Sequence, residues 1–180
     1  MRRVEVCPYD KEWAQMFREE AEKINLILGD EMIHIYHIGS TSIPGLSAKP
    51  IIDIMPVVID IYKVDTFNRQ MEELGYIAKG ENGISGRRYF QKGGDHRSHH
   101  IHIYQNGSHE IERHLALRDY LITHPIDMKN YGELKEKLAR QFPEDIESYI
   151  KGKDLFVKKM EQKALKWYEN NQNHSQGQQV

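Results

Sequence analysis

The sequence predicts an α+β protein: a mixed β-sheet flanked by helices, with a helical C-terminal part. Three observations carry this. Strand-like and helix-like runs follow one another without an internal repeat up to about residue 124. Glycine-rich separators such as "GENGISG" and "KGGD" divide short β-branched and aromatic runs in the middle of the chain, as turns between strands do. Beyond His124-Pro125 the character changes to charged, amphipathic helical sequence. These boundaries place a single domain at residues 1–170, with an α/β head over about 1–124 and a helical part over about 125–170, and leave 171–180 as a polar tail that frays.

Each element has a local reason. Residues 4–6 read as a short strand. Asp10 is placed to cap a helix in which Trp13, Phe17, Ala21, Ile24 and Leu28 recur at helical spacing, and Gly29 stops it. "MIHIYHI" (32–38) is β-branched and aromatic and ends at Gly39. "PIIDIMPVVI" (50–59) has the length and apolarity of a strand covered on both faces, with Pro56 implying a bulge or an edge near that end. Asp60 to Gly75 reads as one helix, followed by strands near 76–79, 87–92 and 99–105. Ser108 caps a helix to about Thr123, and two further helices follow.

The 180 residues carry 25 basic and 27 acidic side chains, a net charge of -2. That balance gives no general attraction to nucleic acid or to an anionic membrane. No apolar run reaches the roughly 20 residues needed to cross a bilayer. The single cysteine, Cys7, forms no internal disulfide, and the charged start "MRRVEVCPYD" is unlike an export signal. The expectation is a soluble cytoplasmic protein.

The chemistry concentrates in "HIGSTSIPGLSAKPIIDIM" (37–55). A Gly-Ser turn after a strand lets backbone approach a ligand and offers a hydroxyl beside exposed amides, which suits phosphate oxygens. "TSIPGL" is placed to open a short helix whose positive end adds to the same spot. Asp53, in an otherwise apolar run, would return on the neighbouring strand to face the turn, where a carboxylate can hold a divalent cation against a polyphosphate. The bland alternative is a structural salt bridge from Asp53 to Lys49 or to an arginine.

This motif resembles the GrpB-like family, a branch of the nucleotidyltransferase superfamily with a polymerase-beta-like fold. "HHIHIY" (99–104) and "ERHLALRDYLITHP" (112–125) support the resemblance, which covers about residues 4–168. It implies a nucleotidyltransferase-like sheet, a Gly-Ser turn that handles nucleotide phosphates, and an Asp-x-Asp pair plus a third acid that hold metal. Gly39 and Ser40, with Thr41 beside them, match the turn, and Asp53 matches the first acid. Met55 stands where the second acid would be, and His102 falls at the third. The implied activity is metal-dependent binding of a nucleoside triphosphate, with Mg²⁺ or Mn²⁺, and nucleotidyl transfer to an acceptor. That acceptor and the oligomeric state are left unspecified by the sequence.

The resemblance implies Asp53 and His102 as the candidate catalytic pair, and strand alternation, which puts His100 on the same face as His102, adds it to give Asp53, His100 and His102 as the candidate metal set. Lys49 either contacts phosphate or simply enters the strand from solvent. Arg87 and Arg88 fall on opposite faces of a strand, so one of them reaches the cleft, and Arg88 is carried as the phosphate-binding candidate. Arg118 reaches the site or joins an ion-pair network with Glu110, Glu112 and Asp119. Two other readings stand beside transfer. One is a nucleotide- or phosphometabolite-binding protein without catalysis, favoured by Met55, in which restoring an acid would raise activity. The other is a histidine-rich metal-dependent hydrolase centred on "DHRSHHIH".

Overall fold

The computed structural model describes residues 3–176. Five strands, β1 (Met32–Ile38), β2 (Ile52–Val58), β3 (Tyr76–Ala78), β4 (Arg87–Lys92) and β5 (His99–Gln105), form one sheet in the order β1-β2-β5-β4-β3. β2 and β5 run parallel, and every other pair is antiparallel. The helices are α1 (Glu12–Leu28), α2 (Asn68–Glu73), α3 (His109–Thr123), α4 (Pro125–Gln141) and α5 (Ile146–Gln176). Among the described residues no helix is long and apolar enough to cross a membrane.

The two faces of the sheet have different tasks. Ile52, Ile54 and Val58 of β2, with Ile101 and Ile103 of β5 and Phe90 of β4, pack against Trp13, Ile24 and Leu28 of α1 and Met71 of α2. Each fully buried aliphatic chain there contributes about 1.5–3 kcal/mol of burial. Alternation sends Asp53 and Met55, His100 and His102, and Arg87 and Tyr89 to the opposite face. A second cluster, in which Ile43 and Leu46 meet Ala116, Leu121, Tyr131 and Met160, seats the C-terminal helices on the loop after β1.

Several local expectations are corrected. Residues 4–6 form no strand. The N-terminal segment makes only one antiparallel bridge, Cys7 with Ala48, and Val4 N–H donates to the carbonyl of Pro143 at 2.8 Å. The segment after Asp60 is a 3-10 helix from Ile61 to Phe67 before the single short helix α2, although Asp60 caps it as expected by accepting from Tyr62 N–H at 2.9 Å. Pro56 lies inside β2, between β1 and β5, not at an edge. The bulge alternative holds: near that end register steps from Met32↔Val58 to His34↔Val57, and the bulged residue is Ile33 of the partner strand. α4 begins at Pro125, and α5 continues to Gln176, into the segment read from sequence as a polar tail. The rest of that tail, 177–180, lies outside the described residues.

One buried carboxylate ties α1 to the sheet. Glu20 is 3% exposed and accepts from Tyr76 Oη at 2.8 Å, Lys92 Nζ at 2.7 Å and Lys23 Nζ at 3.2 Å. Burial opposes its ionisation, but the bonds from Lys92 and Tyr76 outweigh this and hold the carboxyl below its ordinary value. A depressed native pKa contributes stability above the unfolded value of about 4.3 that is lost as pH falls through the native one. Glu20→Gln is therefore expected to cost about 2 kcal/mol at pH 7 and to flatten the loss of stability below about pH 4. Urea unfolding of both proteins across pH 3–7 checks this, because the difference between the two curves isolates Glu20 from the other carboxylates.

Candidate functional site

The site is built where β1 ends. Gly39 has φ +70° and ψ -173°, a conformation that side chains rarely adopt. A Cβ built on it would lie 2.6 Å from Asp53 Oδ2. The glycine is therefore required by the close approach of the Asp53 carboxylate, which its own register explains, since Asp53 pairs with Ile38 across β1–β2. The helix expected in "TSIPGL" is absent. A single 3-10 turn, Ser40–Ser42, takes its place, and Ser42 Oγ donates to the Gly39 carbonyl at 2.6 Å. Thr41 is buried, with its hydroxyl 2.9 Å from His37 Nε2 and donating to the Ile51 carbonyl at 3.4 Å, so it braces the turn from behind. Burial, with Arg118 adding to it against the pull of Asp53, lowers the His37 pKa to about 4. That ring stays neutral while stacked on Phe17.

Asp53, His100 and His102 come together. Asp53 Oδ1 lies 3.2 Å from His100 Nδ1 and 3.1 Å from His102 Nε2, and one ligand atom from each of the three falls within 4.8 Å of the others. The Asp53 side chain keeps 26% exposure, open to the cavity. Burial opposes its ionisation, and the hydrogen bonds from His100 and His102 more than offset this, so the carboxyl sits well below the usual carboxylate range. Burial, reinforced by His102 and countered by Asp53, lowers the His100 pKa. Its Nε2 is buried with no hydrogen-bond partner among the described residues. Behind the trio, His114 packs 5.6 Å from the His102 ring, and burial together with the charges of His102 and Arg113 brings its pKa to about 3.

One carboxylate oxygen and two imidazole nitrogens fit Mn²⁺ or Zn²⁺ better than Mg²⁺, which prefers oxygen ligands. A guanidinium only donates, so the 3.4 Å contact between Arg87 Nη1 and His102 Nδ1 makes that nitrogen the acceptor. In the neutral ring the proton is then on Nε2, facing Asp53. A metal taken at Nε2 displaces that proton and requires Arg87 to release the ring.

The trio opens into a cavity of about 640 Å³ that also takes in Ser40 and Lys49. Five basic side chains lie on its wall, Lys49, Arg87, Arg113, Lys135 and Lys153, against the one carboxylate of Asp53. Arg113 is already balanced by Glu110 and Glu161, each at 2.6 Å. Lys135, on α4, is 2% exposed; its Nζ donates to Ser40 Oγ at 2.9 Å and lies 4.4 Å from the Tyr131 ring centre. Arg88 is not in the cavity. It turns to the other face, where Asp65 holds it at 2.7 and 3.1 Å, and Arg87 takes the inward position because Tyr89, two residues on, pairs with His102. Arg118 lies outside the main cavity, on the far side of the turn, bound to Asp119 at 2.8 Å and to the His37 carbonyl at 3.2 Å. Met55 is fully buried with Ile38 and Tyr104.

Lys135 was missed from sequence. It reads as one more charge on α4, yet it stands on the apolar stripe of that helix, four residues after Tyr131 and three before Leu138, both buried. A lysine on such a stripe is the signal that marks it.

A mixed five-stranded sheet with a Gly-Ser turn at the end of one strand and an acid on the next defines a nucleotidyltransferase-like fold. The structure resembles the crystal structure of a mutant of the Cid1 poly(U) polymerase bound to MgATP, with a TM-score of 0.50 at 14% identity over 73% of this chain and 45% of that one. The chain belongs to the GrpB family, whose model, described as GrpB protein, matches residues 3–163. It is 51% identical over 172 residues to UPF0157 protein YqkA of Bacillus subtilis, a match covering 96% of this chain but only half (50%) of that protein. The crystal structure of the conserved protein GrpB from Enterococcus faecalis matches with a TM-score of 0.89 and 47% identity, covering 91% of this chain and 99% of that one.

Proposed function

We propose that this chain binds a nucleoside triphosphate with a divalent cation and transfers a nucleotidyl group to an acceptor in the cytoplasm. The observation that carries the reading is the lining of the cavity: Lys49, Arg87 and Lys153 stand on the same wall as Ser40, and among the described residues that line it Asp53 is the one carboxylate. Such a wall favours a polyanion. In this reading Ser40, Lys49 and Lys153 hold the phosphates, and Lys135 orients the Ser40 hydroxyl. Asp53, His100 and His102 hold the cation, which when bound supplies Lewis-acid polarisation of a phosphoryl oxygen. Arg87, reaching His102 from β4, lies where a guanidinium offsets charge that develops during transfer.

A second reading, binding without transfer, is favoured by Met55, which fills the position of the second acid with an apolar side chain buried in a cluster. Calorimetric titration with the four common nucleoside triphosphates, each with Mg²⁺, Mn²⁺ or chelator, tests the shared step. Binding is expected to be stronger with Mn²⁺ and about a hundredfold weaker in Ser40→Ala/Asp53→Ala, from the loss of two charge-assisted contacts. No heat under any condition overturns both readings. Pyrophosphate release from bound nucleotide then favours transfer, and binding without it favours the second reading.

A further inference from the structure

A lysine side chain sealed to 2% exposure, beside a cavity and with no carboxylate bridged to it among the described residues, is unusual. Lys135 has Ser40 Oγ at 2.9 Å and the Tyr131 face at 4.4 Å. The neighbouring acid, Glu136, is used elsewhere, accepting from Ser47 Oγ at 2.6 Å. The other charges facing the Lys135 ammonium are Lys49, from the strand approach, and Lys153, from α5, and both repel it. Placing a charge in such surroundings is costly, which disfavours the protonated amine. Burial first, then the charges of Lys153 and Lys49, outweigh the smaller opposing pull of Glu136 and lower its pKa well below that of an ordinary lysine.

We propose that Lys135 is a nucleophilic amine that captures phosphorylated aldehydes as an imine within this cavity, a covalent ligand chemistry separate from nucleotidyl transfer. A desolvated lysine beside other cations is how an amine is prepared for carbonyl chemistry. The Nζ lone pair adds to the carbonyl carbon and the carbonyl oxygen takes up a proton, giving a carbinolamine. Loss of that hydroxyl as water, with the second amine proton, leaves the C=N bond. Ser40 Oγ, in hydrogen-bond contact with Nζ, is placed to pass the proton to the departing oxygen. Lys49 and Lys153 hold the phosphate on the same ligand.

Pyridoxal 5′-phosphate is the probe. The intact protein is incubated with it near neutral pH, the imine absorption is recorded, borohydride fixes the adduct, and peptide mapping locates it. An ordinary lysine has roughly one amine in a thousand unprotonated at pH 7.4. Lys135 is therefore expected to take up reagent at least about tenfold faster than the next most reactive lysine, a ratio that a one-unit pKa drop already gives. Lys135→Arg is expected to abolish the band, and pyridoxal without phosphate to label weakly. Label spread evenly over surface lysines overturns the proposal, and mapping of the natural chain delivers that result even if the variant fails to fold. Equal labelling by pyridoxal overturns the phosphate requirement. Protection by ATP separates this inference from the nucleotide reading: labelling at Lys135 that ATP does not block leaves the imine chemistry standing and counts against nucleotide in the same cavity.

Discussion

Met55→Asp is expected to destabilise the protein by about 4 kcal/mol, combining the loss of a buried methionine with the burial of a carboxylate. Met55 is wholly buried against Ile38 and Tyr104, with Tyr36, Ile84, Ile111 and Leu115 around them. A domain of this size holds about 5–15 kcal/mol in all, so the loss removes a large part of it. Met55→Leu, which nearly conserves volume, is expected to cost less than about 1.5 kcal/mol. Urea unfolding of the three proteins checks the pair. A Met55→Asp midpoint equal to the natural one would mean that the carboxylate reaches the cavity, where Arg87 and His102 would hold it. The result also governs how an acid restored here is read, because activity must be compared at equal folded fraction.

The second large effect is at Gly39. Gly39→Ala is expected to lower stability by about 3 kcal/mol and to weaken Mn²⁺ binding at least about tenfold, because the new methyl must displace the Asp53 carboxylate from a backbone already in a glycine-only region. Gly29→Ala is the internal control. Gly29 also has positive φ, at +53°, but a Cβ there meets nothing within 4 Å. It therefore carries the backbone strain without the collision. Thermal unfolding and Mn²⁺ titration of both variants separate the two contributions; equal metal affinity in both would remove the contact with Asp53 as the reason for Gly39.

The legibility of the sequence follows from which forces are local. β1, β2, β4 and β5 were readable because pleat alternation and glycine punctuation are short-range signals, and Asp60 and Ser108 cap as their types predict. Asp53 and His102 were readable through the resemblance, which matches them to acid positions, and alternation adds His100 to the face of His102; the parallel pairing of β2 with β5 that sets Asp53 opposite His100 is a tertiary fact. The choice between Arg87 and Arg88 was not, because alternation separates them but only the β4–β5 register says which faces His102. Pro56 signalled the bulge near the end of β2 but not its place, which is Ile33 of the partner strand opposite Val57 and Val58, and not that β2 is central. Lys135 depends on how α4 docks, a tertiary fact that charge counting hides.

The contact between Ser40 and Lys135 spans 95 positions of chain. Closing so long a loop costs entropy that this one contact does not repay, so the cavity wall depends on the docking of α4 against the turn after β1. The cavity therefore belongs to the folded chain and not to its separate parts. Any ligand it takes acts as a selective clamp on that folded state, slowing unfolding through an interaction the partly folded chain does not possess.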